Sequence, residues 1–191
     1  MKNLADRNAI SRALMEIWDE VNRECLMKSR GTSMLPLIEE GSEVTIQYTP
    51  PKDIKVGDIV AFRRSAHIVI HRVIRKYTFN GKVYFIEKGD NTFDSTAISE
   101  DVIIGKVIQI KRTNTTIKLD QGFWAMISQI MGIYGYISNL IFNKACFIKN
   151  KLAGKRKIFF TTLGYRGFKI FTSGVSIILI NVGHIFQKRI R

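Results

Sequence analysis

With 191 residues, 46% of them hydrophobic and 24% charged, the chain is long enough for one compact domain and an appendage. The same composition excludes a disordered tail, a collagen-like repeat or a disulfide-dense scaffold. The formal net charge of +14 is unevenly spread: 19 cations face 16 acids up to Asp120, and 11 cations face none over residues 121–191. Twelve of the 20 aromatic residues also fall in that last segment, so cations, aromatics and glycines together describe a surface for something anionic, lipid headgroups or nucleic acid.

Along the chain, Ile10, Leu14, Ile17 and Val21 recur at helical spacing with charges between them, which predicts an amphipathic surface helix over about 4–28. Those charges interrupt any apolar run, so the segment does not read as a signal peptide. From Gly31 to about Ile110 the pattern changes to short alternating or β-branched runs at 44–48, 59–63, 68–75, 82–87 and 102–110, a small all-β unit. Asn80-Gly81 between two of these runs is a type I′ hairpin signal, and Gly41, Pro50-Pro51 and Gly57-Asp58 punctuate the others.

Residues 121–143 carry no charge. At 100° per residue they gather Met126, Ile127, Ile130, Ile133, Ile137, Leu140 and Ile141 on one side, with Ser128, Gln129, Gly132, Gly135, Asn139 and Asn143 opposite. Such a helix can lie in a membrane interface, pack its glycine face on another helix within a bilayer, or cover the β unit. A cationic linker follows, then a second apolar region that ends in Lys188, Arg189 and Arg191. Apolar stretches flanked by Lys and Arg favour an anionic membrane surface over a duplex, because a nucleic-acid reader needs its cations on the binding face itself. Membrane association of the C-terminal region is therefore expected, and no specific nucleic acid. Cys25 and Cys146 lack metal or disulfide spacing and read as small hydrophobes.

Three segments carry candidate chemistry. Ser33 follows Gly31-Thr32, a glycine-entered turn of the kind that exposes a hydroxyl beside converging backbone N–H groups, as an acyl-transfer nucleophile requires. In the run Ala66-His67-Ile68-Val69-Ile70-His71, strand periodicity turns both histidines to one face. A neutral imidazole there can take a serine proton; His67 reads as an ordinary half-exposed strand residue. Glu87-Lys88-Gly89-Asp90-Asn91-Thr92-Phe93-Asp94 is an acid-bearing turn at a strand end, where a carboxylate can fix the imidazole tautomer or simply form a local Asx-turn.

Taken in order, Gly31-Thr32-Ser33-Met34-Leu35-Pro36, Gly57-Asp58-Ile59-Val60, His71-Arg72-Val73-Ile74, Lys88-Gly89-Asp90-Asn91 with Asp94, and Ile104-Gly105-Lys106-Val107 resemble the motif set of the signal peptidase I-like serine peptidases of the S24/S26 superfamily. The resemblance covers about residues 29–112. It is closest to the SipW and endoplasmic-reticulum branch, in which histidine replaces a lysine general base. It implies a mainly β, strongly bent, barrel-like catalytic fold and endopeptidase activity on leader or precursor peptides, without metal or organic cofactor. It places Ser33 as nucleophile, His71 as general base, Asp90 as the acid with Asp94 as second candidate, and Thr32 and Met34 as oxyanion support. Gly31 stands where authentic signal peptidases often carry a serine, and here the apolar segments follow the catalytic serine instead of preceding it.

The expected organisation is an N-terminal amphipathic helix (1–28), a peptidase domain (29–120) and a basic, aromatic-rich, membrane-associating helical region (121–191). Two other readings stay open. A self-cleaving-repressor-like regulator shares the Ser-Met dipeptide and the fold, but carries a helix-turn-helix domain ahead of the peptidase and a lysine base. A catalytically inactive membrane adaptor would keep the fold alone.

Overall fold

Eight strands pair into one antiparallel sheet in the computed structural model, which describes residues 24–65, 67–113, 115–152 and 159–189. The strands are β1 (Glu24–Lys28), β2 (Glu43–Gln47), β3 (Ile59–Arg64), β4 (His67–Phe79), β5 (Lys82–Lys88), β6 (Ser95–Ser99), β7 (Ile103–Lys111) and β8 (Thr116–Lys118). Their order is β1-β2-β7-β3-β4-β5-β6, with β8 added to β7. The five expected runs become β2, β3, β4, β5 and β7. Register shifts at Thr45/Ile46, Ala61/Phe62 and Val73/Arg75 bend the strands, and the sheet curls into an open half-barrel, the mainly β architecture expected.

One expectation is corrected. Residues 24–28, assigned to the end of the N-terminal helix, form β1 and pair along their whole length with β2. Five residues are too few for apolar spacing to separate helix from strand, and cross-strand pairing decides. The rest of that expected helix lies outside the described residues.

Alternation along each strand supplies two cores. Ile59 and Ala61 join Val44, Ile46, Val107 and Ile110 on one face; Val60 and Phe62 join Val73, Phe85 and Ile103 on the other. The first face is covered by two helices, α1 (Gly122–Leu152) and α2 (Phe159–Arg189), which bring Trp124, Ile127, Met131 and Ile180 into the same cluster. The last turns of α2 lie on the first turns of α1: Phe186 stacks on Phe123 at 4.3 Å, and the Trp124 indole N–H donates to Gln187 Oε1 at 3.0 Å.

Of the three placements open to the uncharged helix, its glycine face covers the β unit. Ser128, Gly132, Gly135, Ser138 and Asn139 of α1 are buried. A Cβ on Gly132 would stand 2.5 Å from Gly57 Cα, so this backbone-to-backbone approach admits glycine alone. Most of the isoleucine side faces out, with Met126, Ile130, Ile133, Ile137, Leu140 and Ile141 41–55% exposed. Ile127, expected on that side, is instead 2% exposed in the first core, and Gln129 and Asn143, expected opposite, are exposed. A helix exposed only to water carries polar residues on its outer side, whereas α1 is apolar there as well as at Trp124, Ile127 and Met131 in the core.

Candidate active site

Ser33 sits on a turn pinned from both sides. Below it, Met34, Leu37 and Ile38 insert into the first core, and the Ile38 N–H donates to the Met34 carbonyl at 3.0 Å. Beside it runs the turn after β5, where the Asn91 N–H donates to the Ser33 carbonyl at 2.8 Å and Asn91 Nδ2 to the Thr32 carbonyl at 3.1 Å. A Cβ on Gly89 would lie 2.7 Å from the Ser33 carbonyl oxygen, so glycine at this position lets the two turns touch. Two motifs remote in sequence thereby form one rigid surface.

Across it stands His71, whose Nε2 is 3.0 Å from Ser33 Oγ. Its Nδ1 contacts Glu87, a carboxylate with 3% of its side chain exposed, and the other Glu87 oxygen accepts from Arg64. The Phe62 ring walls the imidazole edge-on at 6.2 Å between centroids and carries the Arg64 guanidinium 5.3 Å above its face. With an ionised carboxylate on the Nδ1 side, the proton is held at Nδ1 and Nε2 is left as the acceptor facing the serine hydroxyl.

The carboxylate on His71 is thus Glu87, a correction to the expected Asp90. The hairpin register explains it. Asn80 and Gly81 both take positive φ, and from that turn Phe79 pairs with Lys82 and Arg75 with Ile86. Continued unbroken, the ladder would set Asp90 opposite His71. The shift between Val73 and Arg75 pairs Val73 with Glu87 and Arg72 with Lys88, and a one-residue shift exchanges faces. Glu87 arrives diagonally beside His71, and Asp90 moves to the opposite face. There Asp90 accepts from Arg72 Nε at 2.8 Å and Arg72 Nη2 at 2.7 Å, a two-pronged pair with no hydrogen bond to His71. Asp94 is exposed and contributes its carbonyl to a contact with the Thr92 hydroxyl, so it does not reach His71 either.

Thr32 is exposed and lies next to Ser33; Met34 is 4% exposed and belongs to the core. Among the described residues the Ser33 and Met34 N–H groups donate to no backbone or side-chain acceptor. His67 is exposed on the same β4 face as His71, at the rim.

Arg72, the second residue of the His71-Arg72-Val73-Ile74 motif, ties the site to α1. Fully buried, it also donates from Nη1 to the Gly57 carbonyl at 2.8 Å and to Ser128 Oγ at 2.7 Å. Ser128, Arg72, Asp90, Asn91 and Ser33 thus form a continuous chain of contacts from the helix to the Ser33 turn. Lys88, across the ladder from Arg72, is held below the usual lysine pKa, first by burial and then by the Arg72 charge, against an opposing pull from Asp90.

Ser33 opens onto a cleft of about 710 Å³ lined by Met27, Arg30, Met34, Ile68 and Ile70. Its walls are strand edges. Residues 67–71 of β4 pair with β3 on one side, whereas β5 joins β4 only from Arg72 onward; β1 pairs only with β2. An extended backbone lying between the two edges would find unpaired amide groups on both sides.

Compared with known proteins, the chain matches a model of the Peptidase S24-like family over residues 4–108, which spans the Ser33 turn, β4, the turn after β5 and most of β7. No curated protein matches it.

Proposed function

Since the chain belongs to the Peptidase S24-like family, we propose that it is a serine endopeptidase of the signal peptidase I type, of the histidine-using branch, that cuts leader or precursor peptides at a membrane. The observation that carries this reading is the Ser33 Oγ to His71 Nε2 contact of 3.0 Å, backed by buried Glu87 and opening onto the cleft. An extended peptide adds as a strand along residues 67–71 and presents one carbonyl to Ser33. His71 takes the serine proton as Oγ attacks, and Glu87 stabilises the imidazolium formed. The oxyanion is met by the Ser33 and Met34 N–H groups and the Thr32 hydroxyl. The imidazolium then protonates the leaving amine, and water, deprotonated by the same imidazole, hydrolyses the acyl-enzyme.

The membrane part of the reading draws on the acid-free region after Asp120 and on Gly122–Phe147, a segment long and apolar enough to cross a bilayer by length and composition. The test uses the full chain and a mixed library of extended peptides, with cut sites mapped by mass spectrometry. Cleavage that disappears in Ser33→Ala and in His71→Ala, with circular dichroism unchanged, is expected. Cleavage at the wild-type rate in Ser33→Ala would overturn the proposal.

A further inference from the structure

The outward face of α1 is built inside out, and the way its inner face is fastened restricts what can cover it. Met126, Ile130, Ile133, Ile137 and Ile141 recur every three or four residues and form one exposed stripe along the helix. The side turned inward holds Trp124, Ile127 and Met131 in the core, and beside them Ser128, Gly132, Gly135 and Asn139. Leaving such a continuous stripe of isoleucines exposed is favourable only where the outer medium is apolar.

Two occupants would satisfy such a stripe, a lipid surface and a second copy of the chain. Charge favours lipid. Residues 121–191 carry 11 Lys and Arg and no acid, so two copies meeting through this region would bring like charges together, while an anionic headgroup layer would neutralise them. Lys144, exposed beyond the end of the stripe, is placed to meet such headgroups.

The inner face sets the orientation. Along 124–139, successive turns of α1 are fixed to the β unit: Trp124 in the core, Ser128 on Arg72, Gly132 against Gly57, Gly135 against Ile74, and Asn139 donating to the Phe93 carbonyl at 3.1 Å. At 1.5 Å per residue this fastened length is roughly 22 Å, most of a hydrocarbon core of about 30 Å. A spanning α1 would carry the β unit into hydrocarbon or peel away from it, leaving Asn139 without the Phe93 carbonyl and Ser128 without its contacts to Gly57 and Arg72.

We infer that α1 is an in-plane docking face: the helix lies along an anionic membrane surface with its isoleucine stripe in the acyl boundary and the β unit on the water side. This deepens the membrane part of the proposed function and stands apart from the peptidase chemistry.

The test floats the full chain with vesicles of equal parts phosphatidylcholine and phosphatidylglycerol, and with phosphatidylcholine alone, before and after alkaline carbonate. Flotation with the anionic vesicles, release by carbonate, and a loss of at least about tenfold in the bound fraction for Ile133→Glu combined with Ile137→Glu are expected. Both positions are half exposed, so the fold should persist, and near-ultraviolet circular dichroism checks that it does. Lys144→Glu, at an exposed position, gives a second readout and should weaken anionic flotation alone. Retention after carbonate would overturn the in-plane placement while leaving a membrane protein. No flotation on either vesicle would overturn both it and the membrane reading, whatever the peptidase result. A dimer without lipid that Ile133→Glu dissociates would assign the stripe to a second copy and overturn the inference.

Discussion

Replacing Glu87 by glutamine separates the two acids that compete for the role behind His71. Glutamine keeps the volume and can still occupy the space between Arg64 and the imidazole, but it removes the charge that stabilises the imidazolium during attack. The comparable loss in an Asp-His-Ser site is about 10⁴-fold in kcat, or about 5.4 kcal/mol at about 1.36 kcal/mol per factor of ten. Stability should change little, because Arg64 has 45% of its side chain exposed and returns to water when its partner is neutralised. Asp90→Asn should behave in the opposite way. It strips the charged partner from Arg72, whose side chain is 0% exposed, and an orphaned buried charge costs about 3–5 kcal/mol. For a chain of this size that lowers Tm by roughly 6–20 °C, with residual cleavage in the fraction that stays folded. The assays are peptide hydrolysis well below Tm and thermal unfolding of the same samples. Full activity in Glu87→Gln, or a catalytic defect in Asp90→Asn at unchanged Tm, would refute the assignment.

Other variants follow from the same contacts. Ser33→Ala and His71→Ala should each abolish cleavage and the double variant should be no worse, since the pair acts as a unit; additive partial losses in a double-mutant cycle would contradict that. Lys88→Met should raise Tm at neutral pH, because burial holds the lysine pKa below its unfolded value of 10.5 and folding there takes place against a protonated unfolded chain. With more protons bound in the unfolded state, wild-type stability should climb toward pH 10.5 and the gap between the two proteins should close; a gap that widened with pH would reverse the sign of the account. Gly132→Val should cost about 2–3 kcal/mol, because its neighbours at 2.5 Å are the backbone atoms of Gly57, and an unchanged Tm would show that α1 is not seated there.

The sheet was readable where alternation and punctuation agreed, as in β3, β4 and β5 around Asn80-Gly81. It was unreadable where pairing alone makes the strand, as in β1, whose five residues carry no period that distinguishes them from a helix end. The site was legible to the extent that it is local: a glycine-entered serine and a histidine at a strand position. Their acid was not, because the choice between Glu87 and Asp90 rests on one ladder shift near Ile74, and a bulge in a β-branched strand has no glycine to announce it. The two faces of α1 were plain from their spacing, yet which one meets the β unit depends on Gly57 approaching Gly132 and on Arg72 reaching Ser128, contacts between segments that no periodicity relates. Arg72 shows the same limit: in sequence it is a cation within the His71-Arg72-Val73-Ile74 motif, and only its burial and contacts make it the joint between the helix and the Ser33 turn.

The central claim is that Ser33, paired with His71, becomes the acylated residue. Mixing the full chain with a cleaved library peptide, quenching in acid within the first turnover and mapping the adduct by tandem mass spectrometry tests it directly. The account predicts the acyl mass on Ser33, absent when His71 is alanine. An adduct on a different side chain, or turnover with Ser33 unmodified and replaceable, would contradict it.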